Sequence, residues 1–129
     1  MRQPARPLSR RERETLEALL AVDFPGVDAL RAQLLGTRVT GRCACGCPTV
    51  DLEPPADAPP AVVGTSVPVE AKAHSRSGEG EGLVLLFVDD GRLSCLEYAP
   101  LGDRTPSTFP PVHRLVDIAP ALDQPGSDE

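Results

Sequence analysis

Leu16, Leu19 and Leu20 fall at helical spacing, with Arg10, Arg13, Glu14 and Glu17 on the other side of the same cylinder, which predicts an amphipathic helix. Ser9 stands in front of it with Glu12 three residues on, the reciprocal arrangement of a capping box. Asp23-Phe24-Pro25-Gly26 then interrupts, because proline disfavours the α region for the residue before it. A second short helix is expected over residues 25–35, with Val27, Leu30 and Leu34 on its buried side and Gly36 as its stop.

Beyond Gly36 the hydrophobic period changes from helical to alternating. Residues 38–42 and 49–53 read as strands, with Val39, Val50 and Leu52 as their apolar members. Residues 54–60 form a proline-rich connection expected to be mobile or extended. Residues 62–73 read as a further strand, weakened by Gly64 and Pro68 and therefore expected at a sheet edge. Residues 75–81 read as a polar, glycine-bearing loop.

The strongest local signal is Asp90-Gly91 between two apolar runs, because a two-residue type I′ turn needs positive φ at both positions. That turn predicts a hairpin pairing Asp89 with Arg92, Val88 with Leu93, Phe87 with Ser94 and Leu86 with Cys95. Leu83, Leu85, Phe87, Leu96 and Tyr98 then share one face, and Val84, Leu86, Val88, Leu93 and Cys95 the other. A first strand apolar on both faces points to a central strand covered on each side, or to a strongly curved sheet. After residue 100, Pro106, Pro110, Pro111, Pro120 and Pro125 limit any long element, and residues 112–118 are expected to form one short piece packed back on the sheet.

The fold class expected from these patterns is α+β: two short N-terminal helices on a small antiparallel sheet of four to five strands, followed by a proline-rich C-terminal tail. A chain of 129 residues suits one domain, expected over residues 9–118, with a flexible lead-in at 1–8 and a disordered acidic tail at 119–129. Aromatics are only 3% of the chain, so Leu, Val and Ala must build the core, and a base-stacking surface is not expected.

The net charge of −6 is unevenly placed. Residues 1–48 carry eight Arg against five acids, whereas residues 49–129 carry five bases against fourteen acids. Such an acidic surface repels phosphate, which argues against nucleic acid as a partner, and attracts a basic protein. The longest purely apolar run, residues 83–88, is too short to span a membrane. Residues 1–7 lack the apolar stretch of a signal peptide, so the expected location is cytoplasmic. Twelve Arg against one Lys, with no Asn, fit a GC-rich genome.

Candidate chemistry is concentrated at Cys43, Cys45 and Cys47, with Cys95 distant in sequence. Closely spaced thiolates are good soft-metal ligands, and a fourth would complete a tetrahedral zinc site; Cys95 is the first candidate, with His74 and His113 behind it. In an extended strand alternate residues lie about 7 Å apart, too far for an easy disulfide, although Gly46 and Pro48 are able to curl the segment. One tight run without a second knuckle favours packing thiols over a zinc site, so no cofactor is expected and zinc is the alternative. No histidine is placed beside a nucleophile by any motif, and no phosphate-cradling loop is present, so an enzyme is not expected. Asp89 and Asp90 are explained by the hairpin turn.

Three stretches carry a resemblance. Residues 16–34 with the Asp23-Phe24-Pro25-Gly26 corner, Val67-Pro68-Val69-Glu70-Ala71, and residues 83–98 with Asp90-Gly91-Arg92-Leu93 resemble small, uncharacterised bacterial α+β proteins. Some of those are associated with toxins of bacterial competition, and the resemblance implies an immunity or toxin-neutralising role. The cysteine run lies outside the shared pattern, and no active-site residue carries over. The leading expectation is thus a protein-binding module whose acidic sheet surface, with Glu70, Asp89, Asp90 and Glu97, meets a basic partner. The alternatives are a zinc-stabilised structural or sensing module using Cys43, Cys45, Cys47 and Cys95, and a housekeeping domain.

Overall fold

The computed structural model describes residues 2–121. In chain order they form β1 (Arg2–Pro7), α1 (Arg10–Leu19), α2 (Val27–Leu34), β2 (Arg38–Arg42), β3 (Val50–Glu53), β4 (Val69–His74), β5 (Gly80–Asp89), β6 (Arg92–Pro100), a 3-10 turn (Val112–Arg114) and β7 (Leu115–Pro120). The strands make one antiparallel sheet in the order β1-β2-β3-β6-β5-β4-β7. The α+β class is as expected, but the sheet has seven strands where four to five were expected.

The two additional strands are the edges. Residues 2–7, expected as a loose lead-in, pair with β2 from Pro7↔Arg38 to Arg2↔Gly41. Pro4 and Pro7 are tolerated because an edge strand leaves one row of N–H groups outside the ladder. At the other edge the expected short piece divides into the 3-10 turn and β7, which pairs with β4. β4 is therefore interior, contrary to its expected edge position, and it begins only at Val69, after Pro68. Ala119 and Pro120 belong to β7, while residues 122–129 of the expected acidic tail lie outside the described residues.

Local rules account for both helices. The Ser9 Oγ accepts the Glu12 N–H at 3.1 Å and the Glu12 carboxylate accepts the Ser9 N–H at 2.8 Å, completing the capping box. Arg6 on β1 adds a bidentate pair to the same carboxylate at 3.0 and 2.9 Å, so the cap also ties the edge strand to α1. α2 starts after Gly26, whose φ of +92° suits glycine and whose missing side chain leaves room for the Val62 carbonyl and Val63.

Both helices pack on one face of the sheet. Leu16, Leu19, Leu20 and Leu30 are essentially inaccessible there, together with Val50, Val69, Val84, Leu86, Leu93 and Leu96. Gln33 of α2 is also fully buried; its Nε2 donates to the Pro59 and Gly91 carbonyls, and its Oε1 accepts the Leu93 N–H.

The β5–β6 hairpin turns at Asp90-Gly91, with φ of +53° and +77°, as expected. Asp89↔Arg92 and Val88↔Leu93 follow the expected register, but the next pair is Phe87↔Cys95. Ser94 is the extra residue of a β-bulge, held by its Oγ donating to Asp89 Oδ2 at 2.7 Å. One inserted residue reverses the facing of everything beyond it. Leu96 and Tyr98 consequently join Val84 and Leu86 against the helices, while Cys95 and Glu97 move to the opposite face with Leu83, Leu85 and Phe87. That second face is part-exposed and carries neither helix, so β5 is apolar on both sides without a helical layer on each.

Candidate metal centre

The cysteine run is the connection between β2 and β3. The Cys43 N–H donates to the Thr49 carbonyl at 3.3 Å, closing the hairpin above the ladder. Within it the Gly46 N–H donates to the Cys43 carbonyl at 3.4 Å, and Gly46 takes φ +92°, a conformation that glycine adopts without cost. The segment therefore curls, and the wide spacing expected of an extended strand does not apply.

Curling brings the Cys43, Cys45 and Cys47 Sγ atoms within 4.8 Å of one another. Ligands about 2.3 Å from a shared tetrahedral zinc ion stand about 3.8 Å apart, so closing around an ion takes a contraction of about 1 Å or less. Two backbone groups already point at sulfur: the Cys45 N–H donates to Cys43 Sγ and the Cys47 N–H to Cys45 Sγ, each at 3.4 Å. Hydrogen bonds of this kind stabilise negative charge on the sulfur and fix its direction. Cys43 and Cys45 are exposed and Cys47 is buried.

The thiols do not titrate alike. Burial pushes Cys47 up, but hydrogen bonds from Cys45, from the Thr49 hydroxyl and backbone, and from Cys43 outweigh it and bring the thiol down to about 7. Cys45 is pushed up to about 11, chiefly by its hydrogen bonds to Cys43 and Cys47. The cluster thus yields one thiolate near neutral pH, while the proton on Cys45 is held more tightly.

Cys95 is not part of this cluster. It lies on β6 opposite Asp51 and Phe87, where burial first, then the carboxylates of Asp51, Glu97 and Asp89, and last the Cys47 thiol push its own thiol up to about 12. The expected fourth ligand, Cys95, is thus not among the three sulfurs that the fold brings together. His74, at the end of β4, and His113, in the 3-10 turn, are likewise outside the cluster.

Of the four acidic residues expected at a binding surface, Glu70 and Glu97 flank Leu85 in one row across β4, β5 and β6. Asp89 lies at the end of the same hairpin, held by Ser94, whereas Asp90 occupies the turn itself. Asp51 joins this face opposite Cys95 and was not singled out from the sequence; the bulge at Ser94 that aligns it has no local signature. Thr49 was missed as well, although Gly46 between two cysteines was a legible sign that the run curls.

Among the described residues no helix is long and apolar enough to cross a membrane. Comparison with protein-family models, with curated proteins and with solved structures finds no match to this chain.

Proposed function

We propose that this protein binds a single thiophilic metal ion, zinc(II) or copper(I), through Cys43, Cys45 and Cys47. The observation that carries this reading is the approach of three sulfurs to within 4.8 Å on one turn, two of them already accepting backbone N–H groups. Soft thiolates select such ions over hard cations. A site with three protein ligands leaves an open position, and two of its ligands are exposed. Such a site exchanges its ion with solvent or with a small thiol, and its role is to hold or sense metal rather than to cement the fold. The cluster of Leu and Val side chains that builds the core includes none of the three cysteines.

Native mass spectrometry of the reduced full chain, titrated with zinc(II) or copper(I), tests the proposal. One ion per chain is expected, lost in each of Cys43→Ser, Cys45→Ser and Cys47→Ser and retained in Cys95→Ser. Absence of a bound ion, or retention of it in all three triad variants, refutes the assignment.

A further inference from the structure

The sheet face opposite the helices combines an apolar centre with an acidic rim. Leu83, Leu85 and Phe87 of β5 run along its middle and remain part-exposed. Glu70 and Glu97 stand on either side of Leu85, and Asp51 and Asp89 lie toward the Phe87 end. Lys72 is paired with Asp117 at 3.4 Å, and Arg38 stands opposite Glu53 in the ladder. Glu70, Glu97 and Asp51 have no cation within ion-pair distance among the described residues. Burial is the main cause of the raised Cys95 thiol, and Asp51, Glu97 and Asp89, all close enough to act on it, raise it further.

Size and charge together select the occupant. Three strand spacings and five residues of β5 make a patch of about 14 Å by 14 Å. That is far below the roughly 800 Å² per partner of a standard interface between folded proteins. It matches two to three turns of one helix about 10 Å across. A second copy of this chain is disfavoured, because a two-fold contact sets each unneutralised carboxylate against its own kind.

We infer that this face docks one amphipathic basic segment of a partner protein, with apolar side chains over Leu83, Leu85 and Phe87 and Lys or Arg against Glu70, Glu97 and Asp51. The inference rests on the sheet alone and is independent of the cysteine cluster.

The test is a titration of the full chain with a synthetic 18-residue Leu/Lys helix, followed by backbone amide NMR. Two control peptides accompany it: a Leu/Glu counterpart, and a Lys/Gln peptide of equal charge without the apolar stripe. Saturable binding of the Leu/Lys peptide is expected, with shifts centred on residues 83–87 and 95–97. The Lys/Gln peptide is expected to bind at least about tenfold more weakly, and the Leu/Glu peptide not at all. Leu85→Lys should weaken the Leu/Lys complex about tenfold or more, as should Glu70→Lys with Glu97→Lys. The latter pair is outward-facing and keeps the experiment decisive where Leu85→Lys fails to fold. Shifts mapping elsewhere, equal affinity for the Lys/Gln peptide, or a dimer already covering this face overturns the inference.

Discussion

Replacing Gln33 by Leu should destabilise the protein by about 3 kcal/mol, although leucine is apolar and close in volume. Gln33 is fully buried and makes three hydrogen bonds: to the Pro59 carbonyl at 3.0 Å, to the Gly91 carbonyl at 2.9 Å and from the Leu93 N–H at 2.9 Å. These bonds join α2, the 54–68 connection and the start of β6. The three partners lose unequally in the variant. The Gly91 carbonyl keeps the Ala61 N–H at 2.7 Å. The Leu93 N–H loses its buried acceptor, which costs about 1–3 kcal/mol, and the Pro59 carbonyl, at an exposed residue, recovers part of its loss from water. Urea and thermal unfolding followed by circular dichroism read the difference, which corresponds to a fall of about 10 °C in Tm for a chain of this length. Leu35→Gln, at a side chain 86% exposed just beyond the same helix, is the control and should change stability by less than about 0.5 kcal/mol. A Gln33→Leu protein as stable as the parent would refute the claim that this amide holds the hairpin to the helices.

Three more outcomes follow from single groups. The Tyr98 hydroxyl is buried without a hydrogen-bond partner among the described residues, so Tyr98→Phe should be neutral or stabilising by about 1 kcal/mol on urea unfolding. Burial pushes the Glu12 carboxyl up, but Arg6 and the Ser9 N–H and hydroxyl outweigh it and hold the group below its ordinary value of 4.5. Its stabilisation is therefore present above pH 4.5 and is lost as pH falls through the lowered native value; Glu12→Gln should cost about 1–2 kcal/mol at pH 7, with the gap to the parent narrowing as pH falls below 4.5. With Cys47 ionising at about 7, metal binding should release about 0.8 proton more at pH 6 than at pH 8 from this residue, read by calorimetry in buffers of different ionisation enthalpy.

What the sequence revealed divides by the range of the interaction involved. The Ser9–Glu12 capping box, the Gly26 corner and the Asp90-Gly91 turn are local, and each formed where its residues indicated. The bulge at Ser94 is not local: its reward is the placement of Leu96 and Tyr98 on the helix side, which no spacing within β6 discloses. β1 was expected only as a flexible lead-in and β7 only as part of a short piece packed on the sheet; their prolines argue against strands, whereas at a sheet edge a missing N–H is tolerated. Nothing in the sequence marks Gln33 as buried, since amides are mostly exposed, and only its tertiary partners explain its burial. The cysteine cluster was half legible. The three residues and the curl at Gly46 were visible in sequence, but that Cys95 lies outside the group of three sulfurs is a feature of the tertiary structure alone.

The most direct test of the metal centre is X-ray absorption spectroscopy of the zinc-loaded, reduced full chain. Three sulfur neighbours at about 2.3 Å and one lighter oxygen or nitrogen neighbour are expected, with an unchanged spectrum in Cys95→Ser. Four sulfur neighbours that fall to three in Cys95→Ser, or a shell of oxygen and nitrogen alone, would contradict the assignment of Cys43, Cys45 and Cys47 as an open three-thiolate site.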